Sequence, residues 1–255
     1  MFVISLQSGS NGNCYYVEAG GVRLLVDAGI SGEQARQRLA QHGLEIRNVE
    51  GVLISHDHAD HTRSMGVYQR KFGLPIYATT RTFRLAGVTQ SLGKIDEVRH
   101  FEAGSVLRLN GLAVETVRTP HDGIDGVAFV FDDGRRRLGI LTDLGHVFSG
   151  LDRVIGSLDA VILESNYDPQ MLEEGPYPAF LKQRIRGPRG HLSNLEAAQL
   201  LRTAAGPRLK WACLGHLSQE NNRPEVALHT HRRVLGDRLH LCLAGRYEAT
   251  DVLEV

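Results

Sequence analysis

The residues best suited to chemistry form one short cluster. Residues 55–61 read SHDHADH, which places four metal-binding side chains within six positions: His56, His58, Asp60 and His61. Imidazole suits zinc, iron or manganese, and a carboxylate adds an anionic oxygen ligand. Alternation along an extended segment puts His56, His58 and Asp60 on one side, and a turn at 59–60 would bring His61 to the same centre. We therefore expect this cluster to bind metal.

Four ligands are too few to complete the coordination of two metal ions. A site with two ions would therefore need further ligands from elsewhere in the chain. Three more residues of ligand type follow apolar, strand-like segments: His121, Asp143 and His216. Taken alone, a histidine or aspartate at a strand end is more often structural. Together with the cluster, these three make a set of strand-end ligands that opens on one edge of a sheet.

The elements that must position these residues alternate between short strands and helices. Strands are predicted at 2–6, 14–18, 22–26, 49–55, 76–79, 106–109, 112–119, 127–131, 138–142, 158–164, 209–214 and 240–243. Helices are predicted at 31–42, 62–72, 177–186, 193–205 and 223–235, with a capping box of Ser193 and Glu196. Two sheets packed face to face with helices outside would bury these strands on both sides. Without a visible linker or repeat, we expect one α/β domain over residues 1–255.

Composition sets broad limits on function. The 255 residues carry no formal net charge, so global electrostatics does not favour a nucleic-acid or membrane partner. The three cysteines, Cys14, Cys213 and Cys242, are odd in number and lack CxxC spacing, which predicts buried thiols rather than disulfides or a zinc ribbon. The N-terminus lacks the features of a signal peptide, and no apolar run approaches the roughly 20 residues of a membrane span. We expect a cytoplasmic protein.

The order of these motifs resembles the metallo-β-lactamase superfamily. Asp27, in the segment LLVDAG, matches the first motif of that family. The resemblance implies an αββα four-layer sandwich of two packed mixed β-sheets flanked by helices, with two divalent metal ions (Zn²⁺ or Mn²⁺, or else iron). It implies His56, His58 and His121 at one ion, Asp60, His61 and His216 at the other, and Asp143 as the bridge. Asp27 would orient the ligand loop. A hydroxide bridging the metals would be the nucleophile, aimed by Asp60.

Two features point to a phosphodiester substrate. His191 precedes a predicted helix N-terminus, where free amides and the helix dipole favour anions, and Ser193 stands at the cap. The segment GHLSN resembles the nuclease branch of the superfamily, in which such a histidine contacts the scissile phosphate and aids leaving-group departure. Residues 182–190 add four cations and no acid, which equally suits a solvated helix end. Neither an inserted β-CASP cap domain nor a tRNA-gripping arm is evident.

The finer resemblance is to the group of YycJ/WalJ-like hydrolases. It rests on SGSNGN at 8–13, TDLG at 142–145, ESNYD at 164–168, GHLSN at 190–194 and HLSQENN at 216–222. This resemblance implies a 5′-to-3′ exonuclease on double-stranded DNA, with a role in DNA repair. The loop at 8–13 either contacts phosphate through its amides or is a tight turn, and Asn166 and Tyr167 are candidates to face the site.

Other functions remain open at this point. One is an RNA-processing nuclease of the RNase Z type, because phosphate contacts carry little information about the sugar, although DNA is favoured over RNA as the partner. Another is a small-molecule hydrolase acting on a lactam or thioester, which leaves His191 and the basic segment without a role. A non-catalytic metal-binding module is disfavoured by the complete ligand set. Oligomeric state is not readable from the sequence.

Overall fold

The computed structural model describes residues 1–255, and two seven-stranded sheets form its centre. The first sheet contains β1 (Phe2–Gln7), β2 (Cys14–Ala19), β3 (Val22–Val26), β4 (Gly51–Leu53), β5 (Ile76–Ala78), β6 (Val98–His100) and β14 (Leu253–Glu254). The second contains β7 (Val106–Leu109), β8 (Leu112–Arg118), β9 (Val127–Asp132), β10 (Arg137–Leu141), β11 (Ala160–Glu164), β12 (Trp211–Gly215) and β13 (His240–Leu243).

Each sheet joins an antiparallel part to a parallel part. In the first, the order is β14-β1-β2-β3-β4-β5-β6, and the strands from β3 to β6 are parallel. In the second, the order is β13-β12-β11-β10-β9-β8-β7, and the strands from β10 to β13 are parallel. Both sheets are therefore mixed, and the parallel strands deliver their C-terminal ends, with the polar residues that follow them, to shared edges.

Nine α-helices accompany the sheets. They are α1 (Gly32–Gln41), α2 (Ala59–Thr62), α3 (Met65–Phe72), α4 (Thr80–Thr89), α5 (Leu151–Gly156), α6 (Pro169–Glu174), α7 (Ala179–Arg186), α8 (Asn194–Ala204) and α9 (Pro224–Leu235). A 3₁₀ turn at Ile46–Asn48 completes the set. The capping boxes at Ser31 and at Ser193 start α1 and α8, as the spacing of Ser193 and Glu196 predicts.

Three apolar layers hold the elements together. A cluster of 23 buried residues, including Tyr15, Phe129 and Ile162, joins the inner faces of the two sheets. A second cluster packs α1 and α3 on the outer face of the first sheet, and a third packs α5 and α8 on the second. This is the predicted αββα four-layer sandwich, which the structure confirms.

The sequence-based element boundaries hold in most places and fail in a few. The predicted helix 62–72 begins later, as α3 at Met65, and the one-turn helix α2 before it is absent from the prediction. The predicted strand 49–55 shortens to β4. The short elements β6, β14, α5 and α6 are absent from the prediction because none is long enough to display a full hydrophobic period. Helix α4 is absent because threonine and glycine, both weak helix formers, make up four of its ten residues.

The cysteines follow the expectation in two cases of three. Cys14 and Cys213 are buried, whereas Cys242 is partly exposed because β13 is an edge strand. Burial raises the pKa of the Cys14 thiol to about 12. None of the three forms a disulfide. No helix combines the length and apolar character that crossing a membrane requires.

Candidate metal centre

The histidine cluster lies where the chain leaves β4. Residues 54–58 form an irregular segment that carries His56 and His58, and His58 is extended. The one-turn helix α2 then carries Asp60 and His61. Sequence alternation is therefore a good guide only as far as His58. Beyond it, one helical turn rather than an extended segment positions Asp60, which joins His61 rather than His56.

Three candidate site residues share an uncommon backbone conformation. Asp27, Asp143 and His216 follow β3, β10 and β12, with φ angles of 63°, 57° and 54°. A left-handed conformation costs a residue with a side chain about 1–2 kcal/mol. Such strain concentrates at functional sites, where the surrounding structure must maintain it. Only two other non-glycine residues of the chain adopt positive φ.

Ligand-type atoms form four overlapping groups at this edge, and two of them correspond to the predicted pair of ion sites. His56, His58 and His121 form one group and Asp60, His61 and His216 form the other, each with its ligand atoms within 4.8 Å of one another. Within the first, Nε2 of His121 lies 3.4 Å from Nδ1 of His58. Within the second, Oδ2 of Asp60 lies 3.4 Å from Nε2 of His61 and 3.6 Å from Nε2 of His216. A third group joins Asp143 to His56 and His61, and a fourth joins Asp143 and His216 to Glu164 and His191.

Asp143 lies between the two groups. Its Oδ1 is 3.7 Å from Nε2 of His121, and its Oδ2 is 3.4 Å from Nε2 of His61. The structure thus brings together all seven of the residues that the sequence proposes as ligands.

Three buried atoms of this cluster have no hydrogen-bond partner: His56 Nε2, His216 Nε2 and Asp143 Oδ2. Leaving a buried polar atom without a partner costs about 1–3 kcal/mol of stability. Three such atoms at one place indicate a binding site for a group that pairs with them. Imidazole nitrogens and carboxylate oxygens with free lone pairs fit a divalent metal.

Neighbouring side chains orient the ligand rings. Oδ2 of Asp27 lies 2.7 Å from Nδ1 of His61, and the amide of Ser55 donates to Oδ1 of Asp27 at 2.8 Å. Nδ1 of His121 lies 2.8 Å from the carbonyl oxygen of Gly190. Each contact occupies one ring nitrogen and leaves the other facing the cluster, the arrangement typical of metal-binding histidines.

Electrostatics favours the ionised form of the acids. Burial by itself would raise the pKa of Asp60, but the adjacent His61 and His216 rings hold that pKa well below its usual range. Burial likewise opposes ionisation of Asp143, whose pKa is lowered by His216, His61 and His121. Asp60 and Asp143 are therefore ionised, and their negative charge would stabilise a bound cation.

His191 reaches the same edge from the turn before α8. Its ring centroid lies 4.8 Å from that of His121 and 5.2 Å from that of His216, so it adjoins both groups. Its Nδ1 is 2.6 Å from Oε1 of Glu164. Burial would raise the pKa of Glu164, but His191 and His216 hold it well below its usual range. Sequence reasoning did not assign a role to Glu164, although this residue begins the segment ESNYD; the only local signal is an acid at the end of the otherwise apolar strand AVILE.

Ser193 does not reach the cavity. It is buried, its hydroxyl donates to Oε2 of Glu196 at 2.6 Å, and the amide of Glu196 donates back to it at 3.2 Å. The capping box therefore occupies the hydroxyl that the sequence assigns to phosphate. Asn166 lines the cavity, whereas Tyr167 does not.

A cavity of about 380 Å³ opens over the metal centre. Helix α7 and the turn before it form one wall, with Tyr177, Leu181 and Ile185 facing the cavity. Two of the four cations of this segment pair with acids: Arg184 with Asp122 at 2.7 Å and Arg186 with Glu173 at 2.9 Å. Lys182 donates to the carbonyl of Glu173. The basic stretch is thus partly neutralised by acids nearby.

A known protein family matches the part of the chain that contains all seven predicted ligands. The profile of the Metallo-beta-lactamase superfamily matches residues 8–216, from the loop after β1 to the last ligand-type histidine. The chain belongs to this superfamily. A fold of this family with such a cluster of histidines and acids implies divalent metal ions.

Individual relatives identify the group within the superfamily that this chain resembles. The chain is 35% identical over 224 residues to "Exodeoxyribonuclease WalJ" of Streptococcus pneumoniae, covering 87% of this chain and 83% of the relative. It is 35% identical over 235 residues to "Exodeoxyribonuclease YycJ" of Bacillus anthracis, covering 91% of this chain and 88% of the relative. The predicted resemblance to the YycJ/WalJ group is therefore confirmed. Among solved structures, YhfI from Bacillus subtilis shares the fold, with a TM-score of 0.71, 15% identity and 98% of both chains covered.

Proposed function

We propose that this protein is a dinuclear metal-dependent phosphodiesterase, a 5′-to-3′ exonuclease that degrades double-stranded DNA. The observation that carries the proposal is His191, held by Glu164 against a cluster of metal-ligand type. A lactamase or thioesterase has no evident use for a histidine at this place. The two relatives named as exodeoxyribonucleases support DNA as the substrate.

The seven ligand-type residues would hold two ions. His56, His58 and His121 suit one, Asp60, His61 and His216 suit the other, and Asp143 lies between them. When bound, two divalent ions supply Lewis acidity and activate water for attack on phosphorus. Five histidines and two carboxylates favour Zn²⁺ by affinity, while Mn²⁺ and iron are also compatible with these donors.

Asp60 and His191 divide the proton chemistry in this proposal. The carboxylate of Asp60 is 18% exposed and reaches the cavity, where it is placed to orient the attacking water and take its proton. Nδ1 of His191 is engaged by Glu164, so Nε2 remains available to the substrate. From there it can bind the scissile phosphate and give a proton to the leaving oxygen.

The test is a substrate comparison with purified protein loaded with Mn²⁺ or with Zn²⁺. The substrates are linear duplex DNA with a 5′-phosphate or 5′-hydroxyl, single-stranded RNA and a chromogenic lactam. We expect mononucleotides from the 5′ ends of the duplex. Asp60→Ala should abolish this cleavage while the circular dichroism spectrum is unchanged.

Each alternative has its own outcome in this comparison. If RNA is cleaved in preference to DNA, the substrate of the proposal changes to RNA, and an enzyme of the RNase Z type is favoured. Lactam turnover without cleavage of any nucleic acid would overturn the nuclease proposal. Full activity of a folded, metal-loaded Asp60→Ala variant would overturn the role of Asp60 alone.

A further inference from the structure

The glycine-rich loop at residues 8–13 lies beside the metal centre. The amide of His216 donates to the hydroxyl of Ser8 at 2.7 Å, which ties the loop to a candidate ligand. Ser10 lines the metal cavity itself. The loop amides of Gly9 and Gly12 donate within the loop, which leaves the amides of Ser10 and Asn11 without a partner in the chain. Such unpaired amides are suited to an anion.

Arg246 packs against this loop from the other side. Its Nη1 donates to Oδ1 of Asn11 at 2.9 Å, and its Nη2 donates to the carbonyl of Leu217, the residue after the ligand His216. An ideal Cβ on Gly9 would lie 3.1 Å from the guanidinium carbon, so a side chain at this position would push the guanidinium aside. The guanidinium is thereby fixed in position, which a free surface arginine is not.

The charge of Arg246 has no partner of opposite sign. Both groups that accept its hydrogen bonds are neutral, and no carboxylate lies within ion-pair distance. Burial lowers the pKa of Arg246, although the negative charge of Glu220 acts in the opposite direction. Two other partly buried arginines, Arg137 and Arg184, pair with acids instead, whereas Arg38 donates only to neutral groups. A guanidinium that is fixed and not ion-paired is suited to an external anion.

A second cavity of about 470 Å³ lies beside the metal cavity, with which it shares one lining residue. Arg246, Ser8 and Ser218 line it, and Ser218 also lines the metal cavity. One acid, Glu248, is on its wall as well, without pairing to Arg246. A substrate strand leaving the metal centre past Ser218 would therefore meet Arg246 next.

We propose that Arg246, with the amides of Ser10 and Asn11, binds the backbone phosphate that neighbours the scissile phosphate. This inference rests on the proposed nuclease function. It assigns Arg246 to positioning of the strand rather than to the reaction itself. It also gives the 8–13 loop the phosphate-binding role that its sequence left open.

A double-mutant cycle between protein and substrate tests the contact. The variant is Arg246→Met, and the substrates are duplexes in which one phosphate, at the first or second position on either side of the scissile linkage, is a neutral methylphosphonate. We expect Arg246→Met to lower kcat/KM about tenfold on ordinary DNA. On the duplex neutralised at the contacted position, the same variant should lose less than twofold, because the two changes remove one interaction.

Further variants separate charge from structure. Arg246→Lys keeps the positive charge but loses the paired hydrogen bonds of the guanidinium to Asn11 and Leu217. It should therefore retain more activity than Arg246→Met. Arg233→Met removes an exposed cation from α9, outside both cavities, and should match the wild type. In binding assays, Arg246→Met should reduce the slope of log affinity against log salt by about 0.9, the value for one phosphate contact on duplex DNA.

Three results would decide against the contact. Additive penalties at all methylphosphonate positions would overturn it, as would an unchanged salt slope. Equal failure of the Lys and Met variants would assign Arg246 to holding the loop instead. If the wild type cleaves no DNA, the proposed function falls and this inference with it, whereas cleavage with additive penalties overturns only the inference.

Discussion

Nδ1 of His191 lies 2.6 Å from Oε1 of Glu164, a side chain that no solvent reaches. The other oxygen of Glu164 accepts hydrogen bonds from the amides of Leu144 and Leu192, at 3.1 and 3.2 Å. The carboxylate is therefore fixed, and it directs the Nδ1 proton of His191 toward itself. The tautomer and the ring direction of His191 follow from this contact.

The first prediction concerns Glu164→Gln. The amide keeps the shape but can donate to Nδ1, which favours the opposite tautomer and removes the acceptor that stabilises a doubly protonated ring. We expect kcat on DNA to fall about 10- to 100-fold. Metal content, measured by atomic emission, should stay the same.

The control for Glu164→Gln is the same change in a His191→Ala background. If Glu164 acts through His191, the double variant is no slower than His191→Ala alone. Since Oε1 of Glu164 also lies 3.4 Å from Nδ1 of His216, loss of metal from the single variant would instead assign Glu164 to support of that ligand.

The second prediction concerns Asp143→Asn. This side chain contacts both ligand groups, and its neutral form loses the charge that two cations would share. We expect bound metal to fall from about two ions per chain to one or fewer, with activity lost. Thermal denaturation with and without a chelator should then differ less than in the wild type, because bound metal stabilises the folded state. Two tightly held ions in this variant would contradict a bridging position.

The ligand set is predictable from sequence because its members are local or follow recognisable strands. Four of the ligands fall within the six consecutive positions 56–61, and Asp143 and His216 each come within two residues of an apolar strand. The resemblance then supplied the partition between two ions, which spacing alone does not contain. The same holds for the sandwich, since the apolar strands and their intervening helices are strong signals.

What the sequence does not reveal depends on contacts between distant segments. Glu164 looks like an ordinary strand end until the structure places His191 beside it, 27 positions away. Arg246 lies beyond all the motifs, and only the return of the chain after β13 brings it to Asn11, 235 positions away. Ser193 illustrates the reverse, because its capping role is visible in the sequence and the structure shows its hydroxyl hydrogen-bonded within that capping box.

The third prediction concerns Phe180 on α7. Its side chain is 72% exposed, on the helix that forms one wall of the metal cavity. An exposed aromatic beside a nucleic-acid site can stack on a base, a contact worth about 1–3 kcal/mol. We expect Phe180→Ala to raise the KM for DNA about tenfold, with kcat and melting temperature little changed. Val88→Ala, at an 84% exposed valine on α4, is the control. An unchanged KM would show that Phe180 contacts no base.

The fourth prediction is a pH effect on stability that originates in α9. The ring of His231 is fully buried, with Nδ1 2.9 Å from the carbonyl of Ala227 and Nε2 without a partner. Burial lowers the pKa of His231 to about 4. Unfolded chains bind this proton near pH 6.5, so between pH 6.5 and 4 the unfolded state binds more protons than the folded state. Stability is therefore full above pH 6.5 and declines as the pH falls toward 4.

Urea unfolding of metal-free protein at pH 7.5 and pH 5.0 measures this effect. The titration of His231 should account for about 2 kcal/mol of the stability lost between these values, and His231→Leu should lose that much less. His229→Leu changes an exposed histidine of the same helix and should behave as the wild type does. The metal-ligand histidines titrate in all three proteins, so their contribution cancels in the comparison. An equal loss in the His231 and His229 variants would mean that the buried ring accepts its proton without unfolding the chain.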